Sequence, residues 1–148
     1  MAGVKVRHGE WVVVCDGKKA LVLENVGDAK FPNLKTLSVF SHPDARTHEL
    51  GTDAPGRSFS SAGTSRSAVE QTDWHDQEEQ RFLHKLASHL DVELKAGKTK
   101  ALIVIAPPRA LGVLRQVYSH DVRRALQAEI DKDLVKLPVH EIERHLAA

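Results

Sequence analysis

The side chains best suited to binding a ligand lie in a segment rich in Gly, Ser and Arg, from about Leu50 to Asp73. A guanidinium group binds two phosphate oxygens at once, and hydroxyls and backbone N–H groups add further hydrogen bonds. We therefore predict contact with phosphate or RNA, while the balanced charge of residues 51–70 also fits a solvated loop. The candidate ligand-binding residues here are Gly56, Arg57, Ser58, Arg66 and Ser67.

A second group of cations follows the two adjacent prolines of the chain. Between Pro107 and Arg124 there are four arginines and one acidic residue, Asp121. Such a face on paired helices is suited to an RNA backbone, and it also fits an ordinary solvated surface. The candidates in this group are Arg109, Arg123 and Arg124, with Arg115 beside them.

Asp16 is a possible acidic site, because it directly follows an apolar run that is typical of a strand. Two-metal nuclease chemistry needs several carboxylates around two ions, and no second carboxylate lies clearly inside a strand. The pair Asp16-Gly17 is also explained by a hairpin turn, for which we expect the positive φ that glycine allows. His84 and His89 are five residues apart, which is wrong for the pair that a zinc-binding helix uses. We therefore expect no metal and no cofactor.

The elements that must position these residues follow from hydrophobic periodicity and turn signals. We predict a hairpin around Asp16-Gly17, a long loop, and a helix from Asp76 that ends before Gly97. In the third strand, alternation places Leu34 and Phe40 on the same face. The predicted strands are Trp11–Cys15, Ala20–Leu23, Leu34–Phe40, Lys100–Ala106 and, at an edge, Ala128–Ile130; further helices begin at Pro108, His120 and Pro138.

The predicted order is β-β-β-loop-α-β-α-(α)-β-α. A starting hairpin followed by β-α alternation predicts an α/β fold, with helices packed on a mixed sheet of the RNase H-like kind. The chain of 148 residues has the length of one domain, so residues 1–148 are expected to form a single domain.

Composition narrows the classes of function. A net charge of +1 gives little general attraction to nucleic acids or anionic membranes, so binding would depend on a local patch. No apolar stretch approaches the roughly 20 residues that span a bilayer, and the N-terminus lacks the apolar core of a signal peptide. We expect a cytoplasmic protein without membrane insertion. The one cysteine, Cys15, lies in an apolar run and is expected to be a buried hydrophobic residue.

Three stretches together resemble the bacterial host attachment protein family. They are WVVVCDGKKALVLEN, the segment from ELGTDAPGRSF to HKLASHL, and the segment from ALIVIAPPRALG to EIERHL. That family is in turn similar to the central domain of archaeal and eukaryotic peptide-chain release factors. Val14-Cys15-Asp16-Gly17 and Gln80-Arg81-Phe82 match landmarks of that domain, whereas its Gly-Gly-Gln motif is absent here.

The resemblance implies a release-factor-like fold that presents a loop, and it leaves three functions open. The first is a non-enzymatic binding module that contacts RNA, the ribosome or a protein partner through the 50–73 loop. The second is a hydrolase of peptidyl-tRNA or a phosphoester, which the missing Gly-Gly-Gln argues against. The third is an indirect role in attachment to host cells. The oligomeric state is left open by the sequence.

Overall fold

The computed structural model describes the backbone of residues 5–41 and 67–147 and the side chains of residues 5–41 and 76–146. Within these ranges lie five strands and four helices in the predicted order. The strands are β1 (Trp11–Cys15), β2 (Lys19–Asn25), β3 (Leu34–Ser41), β4 (Leu102–Ala106) and β5 (Leu126–Asp131). The helices are α1 (Ser67–Lys95), α2 (Pro108–Val117), α3 (His120–Ala125) and α4 (Val139–Ala147). Residues 50–66 of the predicted loop lie outside the described residues.

The strands form one mixed sheet in the order β3-β2-β1-β4-β5. β2 runs antiparallel to β1 and β3, whereas β4 runs parallel to β1 and to β5. Every residue of β1 and β4 is buried, as expected of strands covered on both faces. The predicted α/β class with a mixed sheet is confirmed.

Helices cover both faces of this sheet and create two hydrophobic cores. On one face, α1 and α2 pack against the β1 residues Val13 and Cys15. On the other face, α4 and the segment before it pack against Val12 and Val14. The Glu143 Oε2 atom also accepts a hydrogen bond of 2.7 Å from the Leu34 backbone N–H, which ties α4 to the start of β3.

A β-bulge changes which side chains of β3 face each core. Val22 pairs with Ser38 but Leu23 pairs with Thr36, so Leu37 is an extra residue in the ladder. A one-residue shift reverses the alternation of side chains beyond it. Leu34 therefore packs in the core under α4, and Phe40 packs against the core under α1. The prediction that both residues share one face was wrong.

Helix α1 begins at Ser67, nine residues before the predicted start at Asp76, so residues 67–73 are helical rather than part of the loop. Periodicity detects a helix through its buried stripe, and the first buried side chain described in α1 is Phe82. A helix of 29 residues is about 43 Å long, whereas a five-residue strand spans about 17 Å. The first turns of α1 are therefore not needed to cover the sheet.

Gly97 ends α1 with backbone geometry that other residues adopt at a cost. Its φ is +78°, in the left-handed region. The Gly97 N–H donates to the Leu94 carbonyl and the Lys98 N–H donates to the Glu93 carbonyl, both at 3.0 Å. These two bonds form a Schellman motif, which uses carbonyls that the helix itself leaves free.

Gly97→Ala is expected to lower the free energy of unfolding by about 1 kcal/mol, because alanine is strained at this φ. Gly112 provides the matched control, since it lies inside α2 and a Cβ there meets nothing within 4 Å. Gly112→Ala should raise the free energy of unfolding by about 0.5 to 1 kcal/mol. Urea denaturation midpoints of the two variants should move in opposite directions, and a shift in the same direction would contradict the assignment.

Candidate functional site

A crevice lies where the parallel strands β1 and β4 end side by side. Val14 is in register with Ile105, and the chain then continues into Asp16-Gly17 on one side and Pro107 on the other. Beyond this point β1 leads to β2 and β4 leads towards β5, so the connections diverge. Ligands in open α/β sheets bind outside the carboxyl ends of strands at such a position. The crevice contains a cavity of about 200 Å³, lined by Gly17, Asp76, Glu79, Gln80, Leu83, Pro107, Arg109, Ala110 and Val113.

Asp16, the possible acidic site, organises the turn beside this cavity. Its Oδ1 atom accepts hydrogen bonds of 2.8 Å from the backbone N–H groups of Lys18 and Lys19. Its own N–H donates to the Lys19 carbonyl at 2.9 Å, which closes the hairpin. The predicted hairpin is confirmed, and the contacts of Asp16 account for an aspartate at this position.

Gly17 is required for a reason other than the one predicted. Among the described glycines only Gly9 and Gly97 have positive φ, so the expected positive φ at Gly17 was wrong. A Cβ on Gly17 would lie 2.8 Å from Cγ and 2.9 Å from Cδ of Glu79. The absent side chain thus lets α1 approach the hairpin closely, an approach between elements distant in sequence.

Arg109 lines the same cavity and is held by two carboxylates of α1. It forms an ion pair with Asp76, and its Nε atom lies 3.7 Å from Glu79 Oε1. The arginine side chain is 67% exposed, so these contacts add little stability. They do compensate its charge, and they link the first turn of α2 to α1.

The other arginines of the predicted basic face lie elsewhere. Arg115 stands in the last turn of α2, about 9 Å along the helix from Arg109, and its Nε atom donates to Glu129 at 2.8 Å. The Arg123 guanidinium donates to the Arg115 carbonyl at 2.9 Å, and Arg124 is exposed on α3. The fold therefore brings Arg115 and Arg123 together, keeps Arg109 apart, and adds acidic partners from distant strands and helices.

The candidates of the Gly/Ser/Arg segment are not placed by the structure. Gly56, Arg57, Ser58 and Arg66 lie outside the described residues, and Ser67 opens α1 with a side chain outside the described ones. The described end of β3 and the middle of α1 both lie beside the hairpin turn. Ser41 pairs with Lys19 at the hairpin turn, and Glu79 of α1 meets that turn at Gly17.

Polar side chains on the outward face of α1 form a second surface, which the sequence reasoning missed. They share the spacing i, i+3, i+4, i+7, i+8, the polar counterpart of the buried stripe. We call this set the α1 stripe: Gln77, Gln80, Arg81, His84 and Lys85, all exposed. Together they line a shallow cavity of about 430 Å³.

An apolar cavity of about 390 Å³ adjoins the α1 stripe on the side of β3. Its walls include the aromatic rings of Phe40 and Phe82 together with Leu86, and Ser41 and Glu78 also line it. Arg81 and Lys85 line both cavities and therefore separate them. Arg81 forms an ion pair with Glu78, while Lys85 has no ion pair with any described residue.

Cys15 is fully buried at the end of β1, as predicted. Burial, with a smaller effect from the Asp16 carboxylate, raises the pKa of the Cys15 thiol to about 12. A thiol with such a pKa holds its proton at neutral pH, and the thiolate is the nucleophilic form. Cys15 therefore acts in the structure as a core residue.

Among the side chains of residues 5–41 and 76–146, no group of three or more His, Cys, Asp or Glu residues is arranged to hold a metal ion. In the part of the chain that the structure describes, no helix has both the length and the apolar composition needed to cross a bilayer.

Comparison with known proteins finds similarity over most of the chain. A family model described as "Protein required for attachment to host cells" matches residues 11–146. An uncharacterized protein of Rickettsia prowazekii (strain Madrid E) is 28% identical over 140 residues, which cover 93% of this chain and 91% of that protein. The crystal structure of the archaeal translation termination factor aRF1 aligns with a TM-score of 0.47 and 12% identity, over 91% of this chain and 34% of that one. This chain thus spans about a third of that factor.

The buried thiol leads to a prediction about alkaline pH. An unfolded cysteine loses its proton near pH 8.5, whereas folded Cys15 keeps it up to a pH of about 12. Between these values the unfolded state binds fewer protons, so the free energy of unfolding falls as pH rises, by up to about 1.4 kcal/mol per pH unit for this group. Burial and the Glu129 carboxylate also raise the pKa of Tyr118, which adds to the fall above about pH 10.

Urea denaturation between pH 8 and pH 10 measures this effect. Cys15→Ala is less stable because a buried side chain is shortened, but its free energy of unfolding should depend less steeply on pH than that of the wild type. An equal slope in both proteins would show that Cys15 titrates in the folded state as it does in the unfolded one.

Proposed function

This chain belongs to the family of proteins required for attachment to host cells, and we propose that it serves there as a non-enzymatic cytoplasmic module that binds RNA. Under this proposal an effect on attachment arises indirectly, through the RNA that is bound. The binding surface consists of the α1 stripe and the segment that joins β3 to α1.

The observation that carries this proposal is the position of Lys85, which forms no ion pair with the described residues and lies beside Arg81. Both cations lie on the outward face of α1 and line two neighbouring cavities. Ser41, the last residue of β3, lines one of these cavities, and it is where the chain enters the segment that contains Arg57 and Arg66. Lys85 and Arg81 lie close together on one exposed face, and such cations are suited to the phosphates of a nucleic acid backbone.

The polar groups at the carboxyl ends of β1 and β4 have partners within the protein, which favours binding over catalysis. Asp16 accepts two backbone hydrogen bonds in its turn, and Arg109 is compensated by the carboxylates of α1. Burial holds Cys15 in the protonated form. A catalytic acid, base or nucleophile has to be available to the substrate, whereas Cys15 is buried and the Asp16 carboxylate holds the hairpin turn.

The test compares binding of a fluorescently labelled single-stranded RNA by the wild type and by Arg57→Ala/Arg66→Ala. Affinity for the wild type should fall steeply between 50 and 200 mM salt, as counterion release requires. The double variant should bind more weakly, and its slope of log affinity against log salt should be smaller by about 1.4, since each phosphate contact contributes about 0.7.

Lys35→Ala/Arg144→Ala is the matched control. It removes the same charge from β3 and from α4, which covers the opposite face of the sheet, and both side chains are exposed. Its affinity should stay within about twofold of the wild type, because removal of distant surface charges has small screened effects. RNA binding that both double variants weaken equally would rule out the proposed surface. Cleavage of RNA that Asp16→Asn abolishes would instead establish the hydrolase.

A further inference from the structure

We infer that the apolar cavity between β3 and α1 accepts one nucleobase of a single-stranded RNA, with the neighbouring phosphate on Lys85 and the next nucleotide over the α1 stripe. The inference rests on the proposed function and specifies how the RNA would be recognised. It requires an RNA whose bases are unpaired and free to unstack from their neighbours.

The walls of the cavity suit a flat apolar group. Its volume of about 390 Å³ lies within the range of small-molecule pockets, which are mainly apolar with a few placed polar groups. Phe40 is only half-buried, and His89 contacts its ring in an edge arrangement at 4.8 Å between centroids. That contact fixes the orientation of the ring. Aromatic rings are the surfaces on which single-stranded nucleic acids stack their bases.

Lys85 is the cation best placed to bind the adjoining phosphate. Arg81 already pairs with Glu78, and Arg109 pairs with Asp76 and Glu79, so their charges are compensated. Lys85 lines both cavities and forms no ion pair with the residues that the structure describes. Its flexible ammonium group provides three donors to a phosphate between the two cavities.

The second cavity has the chemistry that a following nucleotide needs. Its lining includes the amides of Gln77 and Gln80 and the imidazole of His84. Amide and imidazole groups both donate and accept hydrogen bonds. Such groups recognise base edges and the 2′-hydroxyl of a splayed RNA strand.

The order in which these surfaces follow one another across α1 favours a single-stranded RNA as the ligand. Across α1 an apolar cavity is followed by Lys85 and then by amide and imidazole groups, which matches base, phosphate and next nucleotide in one strand. A fatty or aromatic acid would use only the first cavity and Lys85. A duplex keeps its bases stacked inside, and the unpaired bases of a single strand are the ones that proteins bind in this way.

The experiment measures fluorescence anisotropy of a labelled 12-nucleotide RNA, single-stranded or annealed, with four variants of the full chain. Phe40→Leu keeps an apolar side chain but removes the ring, and it should weaken single-strand binding about tenfold. Lys85→Ala should weaken it several-fold and lower the salt slope by about 0.7. The matched controls are Phe31→Leu, whose side chain is 71% exposed, and Lys98→Ala, exposed beyond the end of α1; both should bind like the wild type.

A second measurement needs no change to the core of the protein. An RNA that carries 2-aminopurine at one position should lose base fluorescence when the wild type binds, and Lys85→Ala should reach the same final signal only at higher protein concentration. Equal affinity for duplex and single strand, or an unchanged base signal at saturation, would overturn the inference.

The inference and the proposed function fail in different ways. If the wild type binds none of these RNAs, both are wrong. If Arg57→Ala/Arg66→Ala weakens binding but Phe40→Leu and Lys85→Ala do not, RNA binding stands and the base-binding cavity is wrong. If laurate displaces the RNA from the wild type as effectively as unlabelled RNA does, the cavity takes an apolar acid and the inference is overturned.

Discussion

The pairing of β1 with β4 is the constraint on which the rest of the structure depends. All five residues of each strand are buried, so the pair is stable only when helices cover both of its faces. α1 and α2 supply one layer and α4 supplies the other. The two strands are parallel and end together. Their carboxyl ends, from which the connections diverge, therefore create the crevice. At Gly17 the hairpin contacts the Glu79 side chain of α1, beside the crevice.

The polar groups around this crevice are mostly occupied with one another. Asp16 closes its own turn, and Arg109 joins α2 to α1 through Asp76 and Glu79. Buried or half-buried polar groups are stable when they have partners, and here the partners come from the protein. The outward face of α1 is different, since Lys85 stands between an apolar and a polar cavity without a described ion pair. A binding function therefore fits the α1 stripe better than the crevice.

Family membership and surface chemistry bear on function in different ways. The match over residues 11–146 identifies the family, but its description names a cellular requirement rather than a ligand. The side chains carry the chemical proposal, because cations, aromatic walls and amide groups each favour particular ligand groups. Helix α1 serves both the fold and the proposed binding surface, because its buried stripe packs on the sheet and its outward stripe contributes to both cavities.

The sequence by itself determined the order and type of the elements, because local signals specify them. The Asp-Gly turn, the continuous apolar run of β4 and the proline at the start of α2 each act within a few residues. It also placed Cys15 in the core. Only the tertiary structure decided the partners of Arg109 and Arg115, the bulge at Leu37 and the reason for Gly17. Each of these depends on residues distant in the chain, such as Glu79 and Glu129. Such residues come close only when helices and strands pack together, and spacing along the sequence carries no information about those distances.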